Sequence, residues 1–306
     1  MRGLLRRLPL PIRRRLQRLR TYVRSTRYRI RERIRPVTVT QAEVQAALRQ
    51  AGVNEGDTVL AQAQMSSFGT VEGGPQTVID ALEAVVGPEG TIVMPAFPMR
   101  GLSLEHVREH PVFDSRADPS RMGSISEHFR RRPGVARSLH PTHSLSVSGP
   151  DAEDFARGHE RGETPFGLDT PWGELVRCGA KQLYLGTSVR PLTIYHAFEC
   201  QHPGFPYSVF CRDREPATVI AADGTRTEIT TLVHRPVLSP GRVDFNPSRE
   251  AIVRRWLLAG GMTRVPLGRS EILCQPIPAM FETFEKMLSQ DETMYDPSVL
   301  KGLRTG

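Results

Sequence analysis

From Thr40 onward, short runs of interior-type residues alternate with helices whose starts are marked in the sequence, and that alternation is the tightest constraint on the fold. Thr40-Gln-Ala-Glu43 reads as a capping box, in which threonine and glutamate satisfy each other's backbone N–H groups, and it opens a helix through Ala51. Thr58-Val-Leu-Ala-Gln62 follows as a buried strand. Gly73-Gly74-Pro75 starts a helix to Val86, with proline at the first helical position. Thr91-Ile-Val-Met94 is the next strand, Ser124-x-x-Glu127 caps a third helix, and Pro150 to Gly158 and Pro171 to Cys178 are further helices. Gln182 to Gly186 is a strand. Ala217 to Ala222 and Thr225 to Thr231, joined by Asp223-Gly224, read as a β-hairpin. Pro247 to Ala259 and Pro278 to Leu288 close the chain as helices. Strand–helix alternation followed by a hairpin predicts an α/β fold, a layered mixed sheet flanked by helices, with an antiparallel element late in the chain.

Charge divides the chain in two. The 306 residues carry a net +8, but residues 1–36 hold 14 arginines and one glutamate, a net +13, which leaves −5 for residues 37–306. The expected organisation is a basic arm, 1–36, and one α/β domain, 37–306. In the arm, Ile12, Leu16, Leu19 and Val23 recur at helical spacing among arginines, the pattern of a basic amphipathic helix. Such a helix suits an anionic membrane surface, RNA or an acidic carrier protein. A mildly acidic body suits a cationic small-molecule acceptor. No run of 18 apolar residues is present, so no membrane span is expected. The four cysteines (Cys178, Cys200, Cys211, Cys274) show no C-x-x-C pairing and read as reduced structural thiols of a cytoplasmic protein.

The chemistry concentrates at Thr193-x-x-His196-x-x-Glu199, after the Gln182–Gly186 strand. On a short helix this spacing stacks threonine, imidazole and carboxylate on one face. Imidazole beside carboxylate is a common form of general base. Arg137-Ser138-x-His140-Pro141-x-x-Ser144 is the second constellation, and arginine with serine and histidine suits a phosphate or pantetheine surface. His106-x-x-Glu109-His110 spells a zinc pattern, but Pro111 would end the helix and no third ligand is evident, so no metal is expected. Cys200, beside Glu199, reads as a bystander thiol.

With these blocks the chain resembles the aminoglycoside 3-N-acetyltransferase family, the antibiotic N-acetyltransferases that are distinct from the larger superfamily of acetyl-CoA enzymes. The resemblance covers roughly residues 38–290 and rests on Gly56 to Gly74, Val85 to Phe97, Met122 to Ala152, Thr170 to Gly186 and the Thr193–Glu199 motif. It implies acetyl-CoA as co-substrate, His196, Glu199 and Thr193 as catalytic residues, and Arg137, Ser138, His140, Ser144 and Gln64 on the donor side. Where the family usually has His-Ser-Ser or His-Ala-Ser, this chain has Gln62-Ala63-Gln64 on a loop that, by resemblance, faces the donor pocket.

The expected function is therefore N-acyl transfer from a CoA thioester to an amine of an aminoglycoside-like or other cationic small molecule. Two alternatives stand beside it. One is a biosynthetic acyltransferase drawing on a carrier-protein thioester or an aminoacyl-tRNA. The other is an inactive binding homologue whose Gln62–Gln64 loop has closed the donor pocket.

Overall fold

The computed structural model describes residues 36–99 and 101–304. The expected amphipathic arm, apart from Pro36, lies outside them. The helices are α1 (Gln41–Gln50), α2 (Pro75–Val86), α3 (Ser103–Glu109), α4 (Ser124–Phe129), α5 (Ala152–Ala156), α6 (Pro171–Arg177), α7 (Tyr195–Gln201), α8 (Pro247–Ala259), α9 (Ile277–Ser289) and α10 (Pro297–Leu300). The strands are β1 (Thr38–Val39), β2 (Thr58–Ala63), β3 (Thr70–Val71), β4 (Thr91–Pro95), β5 (Val112–Asp114), β6 (Ala136–Arg137), β7 (Leu145–Ser148), β8 (Lys181–Leu185), β9 (Glu215–Ile220), β10 (Arg226–Thr231), β11 (Thr263–Leu267) and β12 (Ser270–Pro276).

The main sheet has seven strands in the order β11-β12-β8-β2-β4-β7-β6. Its centre, β8-β2-β4, is parallel, and both flanks are antiparallel. Central parallel strands are buried on both faces, and side chains alternate between faces. Accordingly Leu60, Val93 and Tyr184 enter one hydrophobic core, while Val59, Ala61, Ile92, Leu183 and Leu185 enter another. A sandwich of two cores around one sheet is thus written into single strands. Pro266 sits in β11, the edge strand, where a missing N–H does no harm.

The expected hairpin exists as β9 and β10, but it lies apart from the main sheet, in a three-stranded sheet with β5. The antiparallel flanks of the main sheet come from β6-β7 and β11-β12, which the sequence pattern does not mark. The prolines in β11 and β12 and the two-residue length of β6 hide them.

The Thr40–Glu43 capping box is present: Thr40 N donates to Glu43 Oε2 at 2.7 Å, and Glu43 N donates to Thr40 Oγ1 at 3.3 Å. The one expected at Ser124 is not. Gly123 is the N-cap, Ser124 is already helical, and Glu127 accepts from Ser120 N and pairs with Arg130 and Arg131. Two nearby guanidiniums outbid the backbone for that carboxylate. Among the described residues no helix is long and apolar enough to cross a membrane.

Candidate active site

The parallel strands β2, β4 and β8 point their carboxyl ends into one cavity of about 610 Å³. Ligand sites of open α/β sheets lie outside the carboxyl ends of their strands. Gln62 to Ser66 leave β2 into it, Pro95, Phe97 and Met99 leave β4, and Thr187, Arg190 and Thr193 follow β8. Gly186 makes the last turn possible. Its φ is +68°, and a Cβ there would stand 2.9 Å from Gln64 O and 3.0 Å from the Phe68 ring. Gln62 and Ala63 are the last residues of β2 rather than part of a loop, and with Gln64 they border the cavity without closing it. A second cavity, about 740 Å³ around Arg49, Asn54 and Gly87, has no imidazole on its wall.

At the base of the first cavity, α7 presents His196 and Glu199 one turn apart, and both are buried. His196 Nδ1 donates to Glu199 Oε2 at 2.7 Å. His234, just beyond β10, donates from Nε2 to the same oxygen at 3.1 Å. The two imidazole centroids are 4.0 Å apart, and both rings line the cavity. Because the carboxylate only accepts, it fixes the proton of His196 on Nδ1 and leaves Nε2 as a lone pair on the far side of the ring. Phe166 packs on His196, His234 and His143 at 5.1, 5.8 and 4.7 Å, which keeps the group dry.

Electrostatics follow from this burial. Burial, then the neighbouring His234, push His196 down to about 3, against the pull of Glu199. Burial also lowers His234. For Glu199 burial works upward, but the interactions with His196 and His234 override it and hold the carboxyl down at about 2. The resting state near neutral pH is one carboxylate between two neutral imidazoles. Tyr195 and Tyr295, held protonated by burial and then by Glu199, lie near the same carboxylate.

Thr193 departs from the expected face. It precedes α7 rather than belonging to it, and its carbonyl accepts from His196 N at 3.0 Å. It still lines the cavity, and Gln62 fixes it. Gln182 Nε2 donates to Leu60 O and Leu183 O, so its NH₂ orientation is set by carbonyls. That NH₂ also meets Gln62 Oε1 at 3.3 Å, which turns the Gln62 NH₂ to Thr193 Oγ1 at 3.2 Å. Thr193 thus accepts from Gln62 and keeps its own hydroxyl proton to donate. Gln64 lies at the cavity edge with its Nε2 on Ser67 Oγ at 2.6 Å.

The structure keeps Arg137, Ser138, His140 and Ser144 off the cavity wall. Ser144 Oγ donates to Ala96 O at 2.9 Å, and Ser138 Oγ bonds His159 Nδ1 at 2.8 Å and takes Leu145 N–H. His140 Nε2 donates to Thr231 Oγ1 at 3.1 Å and Nδ1 accepts from Thr142 N and His143 N. Arg137 donates to Ser115 O, Asp118 O and Ala96 O and stacks 4.9 Å over Phe113, stapling the two sheets together. Burial without a carboxylate partner lowers it to about 10. These residues brace the floor, and it is their neighbour His143 that reaches the cavity.

His234, Arg235 and Arg242 line the site and were not anticipated. No motif marks them, because the fold alone brings His234 to a carboxylate 35 positions away. The zinc-like run does not assemble: α3 ends at Glu109 with His110 as its C-cap. Among the described residues, His196, Glu199 and His234 are the group whose ligand atoms gather, within 4.8 Å of one another. A cation there would have to displace both N–H protons that Glu199 now accepts. Cys200 bonds Thr164 Oγ1 at 3.3 Å, and burial pushes its thiol up to about 12, which removes it as a nucleophile.

Residues 60–289 match the sequence model of the aminoglycoside 3-N-acetyltransferase family. This chain belongs to the aminoglycoside 3-N-acetyltransferase family. It is 35% identical over 176 residues to aminoglycoside N(3)-acetyltransferase VII of Streptomyces paromomycinus, covering 53% of this chain and 60% of that protein. It is 34% identical over 195 residues to aminoglycoside N(3)-acetyltransferase VIII of Streptomyces fradiae, covering 59% and 67%. The matches thus span about six tenths of these relatives. The crystal structure of aminoglycoside acetyltransferase AAC(3)-Xa superposes with a TM-score of 0.67 at 29% identity, over 80% of this chain and 91% of that one. Membership in the aminoglycoside 3-N-acetyltransferase family agrees with the mixed sheet and with the position of the cavity.

Proposed function

We propose that the protein is an N-acyltransferase that moves an acyl group, acetyl by its family's description, from a CoA thioester to the amine of a small molecule. The observation that carries this reading is the 2.7 Å bond from His196 Nδ1 to Glu199 Oε2 on a cavity wall. It leaves His196 Nε2 free to take a proton. An alkyl amine is protonated near neutral pH, with a pKa of ~10.4 for a lysine-like group, and must be deprotonated to attack. The free-amine fraction, its ammonium proton already lost to solvent, bonds through nitrogen to the thioester carbonyl carbon as His196 Nε2 removes a second proton. The C–S bond then breaks, and the imidazolium returns the proton to the departing thiolate. Glu199 holds the tautomer and stabilises the imidazolium while it exists.

A low resting pKa keeps His196 unprotonated across the physiological range but makes it a weak base, and the adjacent carboxylate compensates as charge develops. Thr193, whose hydroxyl proton is not engaged by Gln62, donates to the thioester oxygen or sulfur. We place the donor beside Gln64, and Arg137, Ser138, His140 and Ser144 serve it indirectly by supporting the strand ends. The chemistry uses no metal, since a thioester carbonyl is already reactive, and chelator treatment is expected to leave turnover unchanged. The test is mass spectrometry of acetyl-CoA consumption and acyl-amine formation over a panel of amines, including aminoglycosides. Product with at least one amine is expected, and a silent panel would leave a binding protein.

A further inference from the structure

The segment after β10 gives the cavity a wall that differs in charge from what a polycationic acceptor needs. Arg235 and Arg242 from this segment, with Arg190 from the loop after β8, line the cavity against one lining carboxylate, Asp244. Arg242 engages both oxygens of that carboxylate, Nε to Oδ1 at 3.0 Å and Nη2 to Oδ2 at 3.1 Å. Arg190 donates to Glu250 Oε2 at 2.5 Å. Arg235 is different. Its Nε donates to Phe210 O at 2.8 Å and its Nη2 to Ser208 Oγ at 2.9 Å, both neutral acceptors. Among the described residues it forms no ion pair, so its orientation is fixed while its charge is not neutralised. The net −5 of residues 37–306 therefore says nothing about this wall.

A polyamine carrying several charges at neutral pH needs carboxylates facing it, and Asp244 is already taken. A guanidinium held by neutral acceptors through Nε and Nη2, with Nη1 in no hydrogen bond among the described residues, is instead suited to a phosphate or carboxylate. We propose that Arg235, with Arg190 and Arg242 beside it, forms an anion subsite, and that the acceptor amine carries a phosphate or carboxylate group. The proposal rests on the acyl-transfer reading of the same cavity. It makes the acceptor class an anionic or zwitterionic amine rather than a polycation.

The donor also carries phosphates, so the test separates the two. The full-length protein, saturated with coenzyme A, is titrated by calorimetry with glucosamine, glucosamine 6-phosphate and sisomicin. The phosphorylated amino sugar should bind most tightly. In Arg235→Gln its advantage over glucosamine should shrink by roughly ten- to a hundred-fold, the range for losing a hydrogen bond to a charged group. Arg235→Lys, which keeps the charge, should retain much of that advantage, and it provides the comparison if the glutamine variant misfolds. Sisomicin binding tightest would overturn the proposal. So would an Arg235→Gln protein with undiminished preference, or a preference present only without coenzyme A, which would give the arginines to the donor. Acetyl-CoA consumption with the same amines is scored separately. Its absence would refute acyl transfer while leaving the binding order to decide the subsite.

Discussion

One oxygen of Glu199 accepts from both His196 and His234, at 2.7 and 3.1 Å, so a single carboxylate fixes the tautomers of two adjacent imidazoles. The two rings are too close for both to carry charge. If His196 takes the proton, Glu199 is its counter-ion and His234 remains the neutral donor that keeps the carboxylate in place. Replacing Glu199 with glutamine keeps the shape, removes the charge and puts an amide where two N–H groups point. Turnover should fall by roughly 10²-fold, with kcat and kcat/KM dropping together and acetyl-CoA affinity unchanged. A change confined to the donor KM would make Glu199 a binding residue instead.

His234→Ala should behave differently from loss of the base. It removes the neighbour that depresses His196, so the His196 pKa should rise, with residual activity well above that of His196→Ala. The signature is an acid limb moved to higher pH in the kcat/KM profile. Identical profiles for His234→Ala and wild type would show that the second imidazole has no electrostatic part.

The wild-type pH profile follows from His196 lying near 3 and from an acceptor that is protonated at neutral pH. Above about pH 5 the enzyme's base is already unprotonated, so log kcat/KM should rise with unit slope to the amine's own pKa and move with it between amines. An inflection near 6.5 that stays fixed when the amine is changed would contradict a buried, low-pKa base.

Acid should destabilise the fold well before carboxylates titrate. Burial holds His196 and His159 near 3 and places His140 and His143 well below their ordinary 6.5. Folded pKa values below unfolded ones mean that the unfolded chain binds protons first. This contribution is complete above about pH 6.5 and is lost as pH falls from there toward 3. Glu199, lowered from 4.5 to about 2, adds a further loss over that lower range. Tm should be level from pH 8 to 7 and fall steadily between 6.5 and 5. A level Tm down to pH 5 would show that these imidazoles protonate without unfolding the chain.

The sequence discloses what is local. The Thr40 capping box, the prolines opening α2 and α8 and the β9-β10 hairpin are set by neighbours in the chain, and they stand where expected. The His196–Glu199 pair was legible for the same reason, as two residues on one short helix. What depends on tertiary packing was hidden. His234 reaches Glu199 only because the strand before it ends beside α7, and Arg235 lines the cavity by the same accident of position. Ser138, His140 and Ser144 carry the chemistry of a ligand surface, yet every one of their polar atoms is engaged in bracing the fold. Spacing cannot reveal whether a polar side chain faces a cavity or the inside of a wall.

The central claim is that His196 removes the acceptor's proton, and single-turnover kinetics on His196→Ala tests it most directly. The wild-type and variant proteins, matched by circular dichroism, would be mixed with acetyl-CoA and an amine found to be acylated, and acyl-amine formation followed by mass spectrometry. The rate should fall by roughly 10²–10⁴-fold while acetyl-CoA binding persists. A folded His196→Ala protein that acylates the amine at the wild-type rate would contradict the account.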